Sequence, residues 1–328
     1  MTEKNVVQTI HDTLWDVMKD DDRVLIMGED VGARGGVFRA TAGFLDEFGE
    51  QRVLDTPLAE SGIVGCAIGM ALMGLRPVAE IQFADFIHPA FDQIVSEAAR
   101  MRYRSNGDWD CPLVIRAPWG GGVHGALYHS QSIEAFYGHV PGLKVVVPST
   151  PYDVKGLLLA AIADPDPVLF LEHKKTYRLI KGDVPDEAYT VPIGTADVKR
   201  EGDDLTVVAY GLMLHHALEA AQRLQDEEGY FAEVIDVRTI SPLDKETIFD
   251  SVRKTGKALV VYEDNRTYGA GAEISASIGE DLMFDLDAPV ARIGGPDVPA
   301  MGFAGPLEHA FMPDVERVFD AMKELAKF

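Results

Sequence analysis

Cysteine is scarce in this sequence. Only Cys66 and Cys111 occur among 328 residues, and they lie far apart. Two distant cysteines form neither a disulfide framework nor the paired spacing of a structural zinc site. The sequence therefore excludes a small disulfide-stabilised secreted domain and favours a reducing compartment, for which we expect the cytoplasm.

Basic residues are few relative to acidic ones. Lys and Arg number 30 against 53 Asp and Glu, which gives a net charge of −23. Nucleic-acid binding needs a basic footprint, so that class of function is excluded. The charge is typical either of a solvated acidic surface or of a protein that attracts a basic partner.

Long apolar runs are also missing. The longest, residues 63–75, has thirteen residues, which is short for a bilayer and suits a buried helix. Residues 1–10 lack the apolar core of a secretory signal. Three common signatures are absent as well: the P-loop, a GxGxxG after the first strand and the GxSxG elbow. We therefore expect no membrane span and no site of those three types.

Apolar segments with strand and helix patterns alternate along the whole chain. A strand is predicted at residues 24–27, for example, and a long helix at 86–104. Strands alternating with helices imply parallel α/β sheets. The segment 181–202 carries prolines and charges and interrupts the pattern. We therefore predict two α/β domains, residues 1–190 and 191–328.

Glu60 stands near the start of a helix predicted at 58–74. A carboxylate in the first turn of a helix is stabilised by the helix dipole, so a plain capping acid is one interpretation. The helix behind it is unusual, because Gly62, Gly65 and Gly69 share one face. Each glycine costs about 1 kcal/mol relative to alanine in a helix interior, and close approach of another backbone would offset that cost. We predict an interface helix, buried all round, with one acid at its entrance.

Polar and aromatic side chains alternate in the segment that follows the next strand. Gln82, Asp85 and His88 are interspersed with Phe83 and Phe86. An apolar platform with a few polar groups suits a planar ligand. The alternative is an aromatic core cluster whose polar groups are satisfied, and both interpretations stay open.

A glycine-rich stretch follows the strand predicted at 113–117. Trp119 is succeeded by three glycines and then by His124 and His129. Loops after strands are where α/β folds place ligand sites, so the glycines predict either a phosphate cradle or a mobile tip. The two histidines have no third metal ligand nearby. A histidine in such a loop is a candidate acid/base group.

Together these segments, in this order, resemble the β chains of the decarboxylating component of 2-oxo acid dehydrogenases, and most of all those of the branched-chain enzyme. The resemblance covers nearly the whole chain and rests on several motifs rather than one. Its residues fall in the stretches 55–60, 80–86, 90–94, 124–132, 143–148, 150–156, 237–240 and 254–256.

The resemblance implies a pyrimidine-binding domain of the transketolase type followed by a transketolase-type C-terminal domain. It also implies an α2β2 heterotetramer that holds thiamine diphosphate between an α and a β chain. In that family the α chain binds the diphosphate and Mg²⁺ through a Gly-Asp-Gly motif. Gly-Asp occurs here at 107–108, 182–183 and 202–203 and never continues with glycine. We therefore expect an α partner to supply that half of the site.

The resemblance also assigns roles to individual residues. Glu60 matches the glutamate that hydrogen-bonds the aminopyrimidine ring and activates the cofactor. Leu58, Gln82 and Phe86 match neighbouring cofactor contacts, and Phe86 would pack on the pyrimidine. His129 matches an active-site histidine that positions the 2-oxo acid carboxylate or moves protons during acyl transfer. Glu60 and His129 are therefore the predicted catalytic residues.

The family has a potassium site built largely of backbone carbonyls. The matching residues here are Leu113, Val114, Ala161, Asp164 and Asp166, and relatives often have Asn in place of Asp166. The two acids belong to an Asp-Pro-Asp-Pro sequence, which is also typical of an ordinary helix-to-strand turn. The resemblance therefore predicts bound K⁺, and the plain turn is the alternative.

The expected reaction is oxidative decarboxylation of 3-methyl-2-oxobutanoate and related 2-oxo acids, with acyl transfer to the lipoyl group of dihydrolipoyl acyltransferase. Residues 125–131 favour branched-chain substrates, whereas residues 143–260 resemble pyruvate dehydrogenase β chains equally. The basic subunit-binding domain of the acyltransferase is an expected partner for this acidic chain. Two alternatives are a self-sufficient transketolase-like homodimer, which the missing Gly-Asp-Gly opposes, and a docking subunit without catalysis, which Glu60 opposes.

Overall fold

The computed structural model describes all 328 residues of the chain. They form two compact units. The first unit comprises residues 1–119 and 136–193, and the second comprises residues 120–135 and 194–328. The α/β class predicted from the alternating pattern is confirmed in both units. No helix is long and apolar enough to cross a membrane.

Strands and helices alternate along residues 1–193. The strands are β1 (Thr2–Asn5), β2 (Val24–Gly28), β3 (Val53–Asp55), β4 (Arg76–Glu80), β5 (Val114–Trp119), β6 (Lys144–Val146), β7 (Val168–His173) and β8 (Lys181–Val184). The helices are α1 (Val6–Asp20), α2 (Phe44–Phe48), α3 (Glu60–Leu72), α4 (Met101–Arg104), α5 (Glu134–Gly138), α6 (Pro151–Ala163) and α7 (Thr176–Leu179).

Six parallel strands make the central sheet of the first unit. Their order is β6-β7-β5-β4-β2-β3, and β1 pairs separately with β8 in an antiparallel ribbon. β2 lies between β3 and β4, and its last residue, Gly28, is aligned with both Asp55 and Glu80. Every residue of β2 and β5 is buried, because helices and loops cover both faces of a parallel sheet.

The segment predicted as one helix at 86–104 is divided in the structure. Two 3₁₀ turns, Ala84–Phe86 and His88–Ala90, precede a π-helical stretch at Gln93–Ala98 and then α4. Pro89 lacks the N–H that a continuous α-helix would need at that position. The prediction of an unbroken helix is therefore wrong, and Phe86, a candidate cofactor contact, lies in the first of the two 3₁₀ turns.

The second unit carries a mostly parallel sheet with helices packed on it. Its strands are β9 (Asp197–Arg200), β10 (Leu205–Ala209), β11 (Ala232–Asp236), β12 (Thr239–Ser241), β13 (Ala258–Asn265) and β14 (Ala291–Gly295). Its helices are α8 (Leu212–Glu228), α9 (Lys245–Thr255), α10 (Ala270–Asp281), α11 (Gly305–Phe311) and α12 (Val315–Ala326). The sheet order is β14-β13-β10-β11-β9, with only β9 antiparallel to its neighbour.

Candidate active site

The carboxyl ends of β2, β3 and β4 meet at one edge of the sheet in the first unit. These strands end at Gly28, Asp55 and Glu80, which are aligned in register. Parallel α/β folds place ligand-binding groups at this edge. The four residues predicted to contact a cofactor all follow these strand ends: Leu58, Glu60, Gln82 and Phe86. The structure therefore brings them to a common edge, which we call the carboxyl edge.

Glu60 is the first residue of α3, and its side chain is partly buried. The preceding residue, Ala59, offers no side-chain cap to the helix. The first N–H groups of a helix need acceptors, and the helix dipole favours a carboxylate near them. The prediction that one acid stands at the entrance of this helix is confirmed.

The glycine face of α3, formed by Gly62, Gly65 and Gly69, is exposed. A methyl group added at Gly69 would meet no atom within 4 Å, and one at Gly65 would meet only Gln93, at 3.8 Å. The prediction that α3 is buried all round is therefore wrong for the single chain. The close backbone approach predicted from the glycines stays a prediction.

Two acids that the sequence analysis did not single out lie near Glu60. Glu29 and Asp30 follow β2 directly. Partial burial raises the pKa of the Glu29 carboxyl, and the negative charges of Asp30 and Glu60 raise it further. Gln82 Nε2 donates to the Glu29 carbonyl at 3.4 Å and to the Asp30 carboxylate at 3.5 Å. An acid pair immediately after a buried strand was the signal that could have identified these residues.

Leu58 and Phe86 supply apolar surface at the carboxyl edge. Leu58 is 72% exposed, whereas Phe86 is partly buried with its ring edge-on to Phe83, 5.8 Å between centroids. Phe83 packs edge-on against Phe38 at 5.6 Å. The interpretation as an aromatic cluster is therefore confirmed, and the planar-ligand platform stays a prediction. Phe83 belongs to an aromatic cluster, and Phe86 rests on that cluster with part of its ring accessible.

A buried ion-pair network joins β4, β5 and β7 next to the carboxyl edge. Arg116 is 1% exposed and donates to both carboxylate oxygens of Glu172, at 2.5 and 2.9 Å, and to Glu80 at 2.9 Å. The Tyr177 hydroxyl donates to Glu172 at 2.6 Å. Burial raises the pKa of Glu80 against the opposing charge of Arg116. Because Glu80 lies two residues before Gln82, this network fixes the strand end that carries part of the candidate site.

Replacing Arg116 with Met is expected to destabilise the first unit by about 3–5 kcal/mol, because two buried carboxylates lose their counter-charge. The pKa of Glu80 is already raised by burial, and loss of Arg116 raises it further. The unfolded state then loses its proton at lower pH than the folded state, so the deficit should shrink as the pH falls from 7.5 toward about 5.

Urea unfolding followed by tryptophan fluorescence measures this effect, since all three tryptophans lie in the first unit. The matched control is Arg23→Met, which removes an exposed arginine paired with Asp21 and should leave the free energy of unfolding nearly unchanged. Equal effects of the two substitutions would contradict a structural role for the network.

His129 lies in the second unit, in a segment of residues 120–132 that we call the histidine loop. The Gly120 N–H donates to the Gln131 carbonyl at 3.0 Å and closes the base of the loop. A side chain at Gly125 would lie 2.5 Å from the His129 carbonyl oxygen and 2.8 Å from its Cβ. Glycine is therefore required where the loop folds closely around His129.

The glycine amides of the histidine loop are bound by carboxylates. The Gly121 N–H donates to Glu263 at 2.5 Å, and the Gly122 N–H donates to Glu308 at 3.0 Å. The Ser132 hydroxyl also donates to Glu263, at 3.3 Å. These amides face acids, so the phosphate cradle predicted as one alternative is wrong. The mobile tip is not supported either, because carboxylates from elsewhere in the second unit hydrogen-bond the loop at several points.

The residues predicted to bind potassium gather near the amino ends of β5 and β7: Leu113, Val114, Ala161, Asp164 and Asp166. Both Asp164 carboxylate oxygens accept from Lys144 Nζ at 2.6 Å, and Asp166 accepts from Arg102 Nε at 2.6 Å. Two side-chain cations thus neutralise the two carboxylates, so these acids add little negative charge that could attract a further cation. This cluster also lies at the opposite end of the strands from the carboxyl edge.

Two domain families match the chain. The transketolase pyrimidine binding domain matches residues 3–180, and the transketolase C-terminal domain matches residues 194–318. A solved structure of a split gene transketolase, described as an inactive beta4 tetramer, aligns with a TM-score of 0.80 over 98% of both chains. Its sequence identity is 24%, so this likeness concerns the fold alone.

Sequence relatives span the full length of the chain. It is 58% identical to the 2-oxoisovalerate dehydrogenase subunit beta of Bacillus subtilis, over 100% of both sequences. It is 49% identical to the pyruvate dehydrogenase E1 component subunit beta of the same organism, again over 100% of both. With both transketolase-type domains present in order, the chain belongs to the family of 2-oxo acid dehydrogenase β subunits.

Proposed function

We propose that this chain is the β subunit of a thiamine-diphosphate-dependent branched-chain 2-oxo acid dehydrogenase, 3-methyl-2-oxobutanoate dehydrogenase (2-methylpropanoyl-transferring). The observation that carries the proposal is Glu60 at the entrance of α3, on the edge that also presents Leu58, Gln82 and Phe86. Identity of 58% to a 2-oxoisovalerate dehydrogenase subunit beta supports the substrate class. The reaction is oxidative decarboxylation with transfer of the acyl group to the lipoyl group of dihydrolipoyl acyltransferase.

The carboxyl edge fits the aminopyrimidine half of thiamine diphosphate. When bound, the cofactor supplies the nucleophilic carbon and the electron sink for loss of CO₂. Glu60, at the start of α3, would hold a proton against a ring nitrogen of the aminopyrimidine. Phe86 offers a ring face and Leu58 an exposed apolar contact, which suit a flat heterocycle.

The same edge does not fit a diphosphate. Glu29 and Asp30 bring negative charge to it, and the chain has no Gly-Asp-Gly motif. We therefore assign the diphosphate and Mg²⁺ to an α partner in an α2β2 heterotetramer. K⁺ at the turn near Asp164 stays a prediction, against which the Lys144 and Arg102 ion pairs argue.

His129 is proposed to act on the 2-oxo acid side of the reaction, where it positions the substrate carboxylate or moves a proton during acyl transfer. An imidazole can hydrogen-bond a carboxylate, and it can also accept or donate a proton. The histidine loop holds this residue in a fixed backbone conformation, as Gly125 and the amide contacts show. Fixed placement is what a group that orients a substrate requires.

The net charge of −23 supports a basic partner surface. The subunit-binding domain of the acyltransferase has that character in this family, and we propose it as the partner that recruits the heterotetramer to the multienzyme complex. We place the assembly in the bacterial cytoplasm, which suits a chain with two free cysteines.

A substrate panel tests the proposed function. The chain, co-purified with its α partner, is expected to show a kcat/KM at least about 10-fold higher for 3-methyl-2-oxobutanoate than for pyruvate, because each added methyl group fills apolar pocket surface. 2-Oxobutanoate is the matched intermediate and should fall between the two. The second candidate function is pyruvate dehydrogenase, supported by 49% identity to such a β subunit. A higher kcat/KM for pyruvate would replace the first proposal with the second.

A further inference from the structure

The Glu308 side chain, from α11, is buried and fully engaged by the histidine loop. Its carboxylate is 7% exposed, and one oxygen accepts the N–H groups of Gly122 and His124, each at 3.0 Å. The other oxygen lies 2.7 Å from His124 Nδ1. Burying a carboxylate is unfavourable unless charged or polar donors surround it. Here every donor comes from a single short stretch of the loop.

The stretch that Glu308 contacts has a strained backbone. His124 and Ala126 have φ angles of 56° and 57°, in the left-handed region that residues other than glycine seldom adopt. Such a conformation is unfavourable for residues with a side chain unless their surroundings impose it. Glu308 holds His124 by its backbone and by its ring, so it supplies contacts that impose this conformation.

The strained stretch leads directly to His129. Gly125 follows His124 and packs so closely on His129 that a side chain there would lie 2.5 Å from the His129 carbonyl oxygen. The His129 N–H is 3.5 Å from the Ala126 carbonyl, which closes a single tight turn. His124 and His129 are therefore joined by a short, closely packed turn through Gly125 and Ala126.

We infer that Glu308 is a positioning residue for His129: it fixes the backbone at Gly122 and His124 and thereby sets the place of the histidine four residues after Gly125. The inference rests on the proposed role of His129 in the 2-oxo acid dehydrogenase reaction. Glu308 lies 179 positions after His129 in the chain, and nothing local in the sequence connects them.

The test is Glu308→Gln in the heterotetramer co-purified with its α partner. Glutamine keeps the shape but removes the charge that binds three donors, so kcat/KM for 3-methyl-2-oxobutanoate should fall roughly 10-fold. Amide hydrogen exchange at Gly122 and His124 should become faster, while amides of β10 and β13 keep their protection. Exchange of the cofactor C2 proton, which the proposed function assigns to Glu60, should stay at the wild-type rate.

Two further variants sharpen the test. His309→Gln changes the next residue of the same helix, whose side chain is 74% exposed, and should leave exchange and turnover unchanged. Glu308→Asp keeps the charge with a shorter reach and should lie between wild type and Glu308→Gln. If Glu308→Gln does not fold, Glu308→Asp provides the same test of turnover and amide exchange.

The inference is overturned if Glu308→Gln keeps wild-type turnover and slow exchange at Gly122 and His124. It is also overturned if exchange accelerates throughout the second unit, since Glu308 would then only stabilise the fold. Failure of the proposed function gives a different result, namely wild-type C2 proton exchange in a Glu60→Gln variant. The two failures are therefore distinguishable.

Discussion

Replacing Glu60 with Gln is expected to lower kcat about 100- to 10,000-fold, the range that one positioned proton-transferring group contributes. Glutamine occupies the same volume at the entrance of α3 and is an equally good helix former, so the helix should persist. It cannot exchange a proton with the aminopyrimidine, so activation of the cofactor should be lost. Binding of the cofactor and assembly with the α partner should be retained.

Three measurements on the heterotetramer check this expectation: steady-state turnover, deuterium exchange at the cofactor C2 position by NMR, and molar mass by light scattering. The matched control is Glu246→Gln, which changes an exposed glutamate in the first turn of α9. If Glu60 were only a capping acid, both substitutions would cost about 0.3–1 kcal/mol of stability and leave turnover unchanged. That outcome would favour a docking subunit without catalysis.

The strands of the first unit could be predicted because they are buried on both faces. The apolar run at residues 24–27 became β2 (Val24–Gly28), and the one at 113–117 became β5 (Val114–Trp119). A continuous apolar run has few other stable places in a soluble domain. The helix predicted at 86–104 failed for a physical reason, since apolar periodicity does not register the N–H that Pro89 lacks or the wider turns of a π-helix.

Contacts between residues distant in sequence could not be predicted from the sequence. The glycines at 120–122 were equally compatible with a phosphate cradle, and the deciding groups, Glu263 and Glu308, lie more than 140 positions away. The sequence does not indicate that Glu80 and Glu172 both pair with Arg116, because this pairing depends on strand order. Glu60 was predictable in its helix position, and Glu29 could have been identified as an acid after a buried strand, but its place beside Glu60 required the alignment of β2 with β3 and β4.

The glycine face of α3 bears on the assembly of the chain as well as on its fold. Glycines at Gly62, Gly65 and Gly69 weaken a helix by about 1 kcal/mol each, and the structure shows no internal packing at Gly69 that would compensate. A sequence selected only for folding of this unit would gain stability from alanine there. The face is therefore best explained by close contact with another chain, in keeping with the proposed heterotetramer.

Gly69→Leu is expected to leave the folding of the single chain intact and to weaken its association with another chain. In the single chain the new Cβ meets no atom within 4 Å, and leucine replaces the poorest helix former after proline. The free energy of unfolding of the isolated chain should therefore stay equal or rise by up to about 1 kcal/mol. Against another backbone the same side chain overpacks the contact by about 1–3 kcal/mol, which weakens association by about 5- to 150-fold. Turnover should fall with assembly.

The matched control is Gly279→Leu, which places leucine in α10 of the second unit, where a new Cβ also meets nothing within 4 Å. It should stabilise the isolated chain similarly and leave association with the α partner unchanged. Analytical ultracentrifugation at several concentrations, together with calorimetry of the isolated chains, measures both quantities. Unchanged association in Gly69→Leu would mean that the exposed glycine face is not an interface. The three glycines of α3 would then have to be explained by the start of the helix beside Glu60.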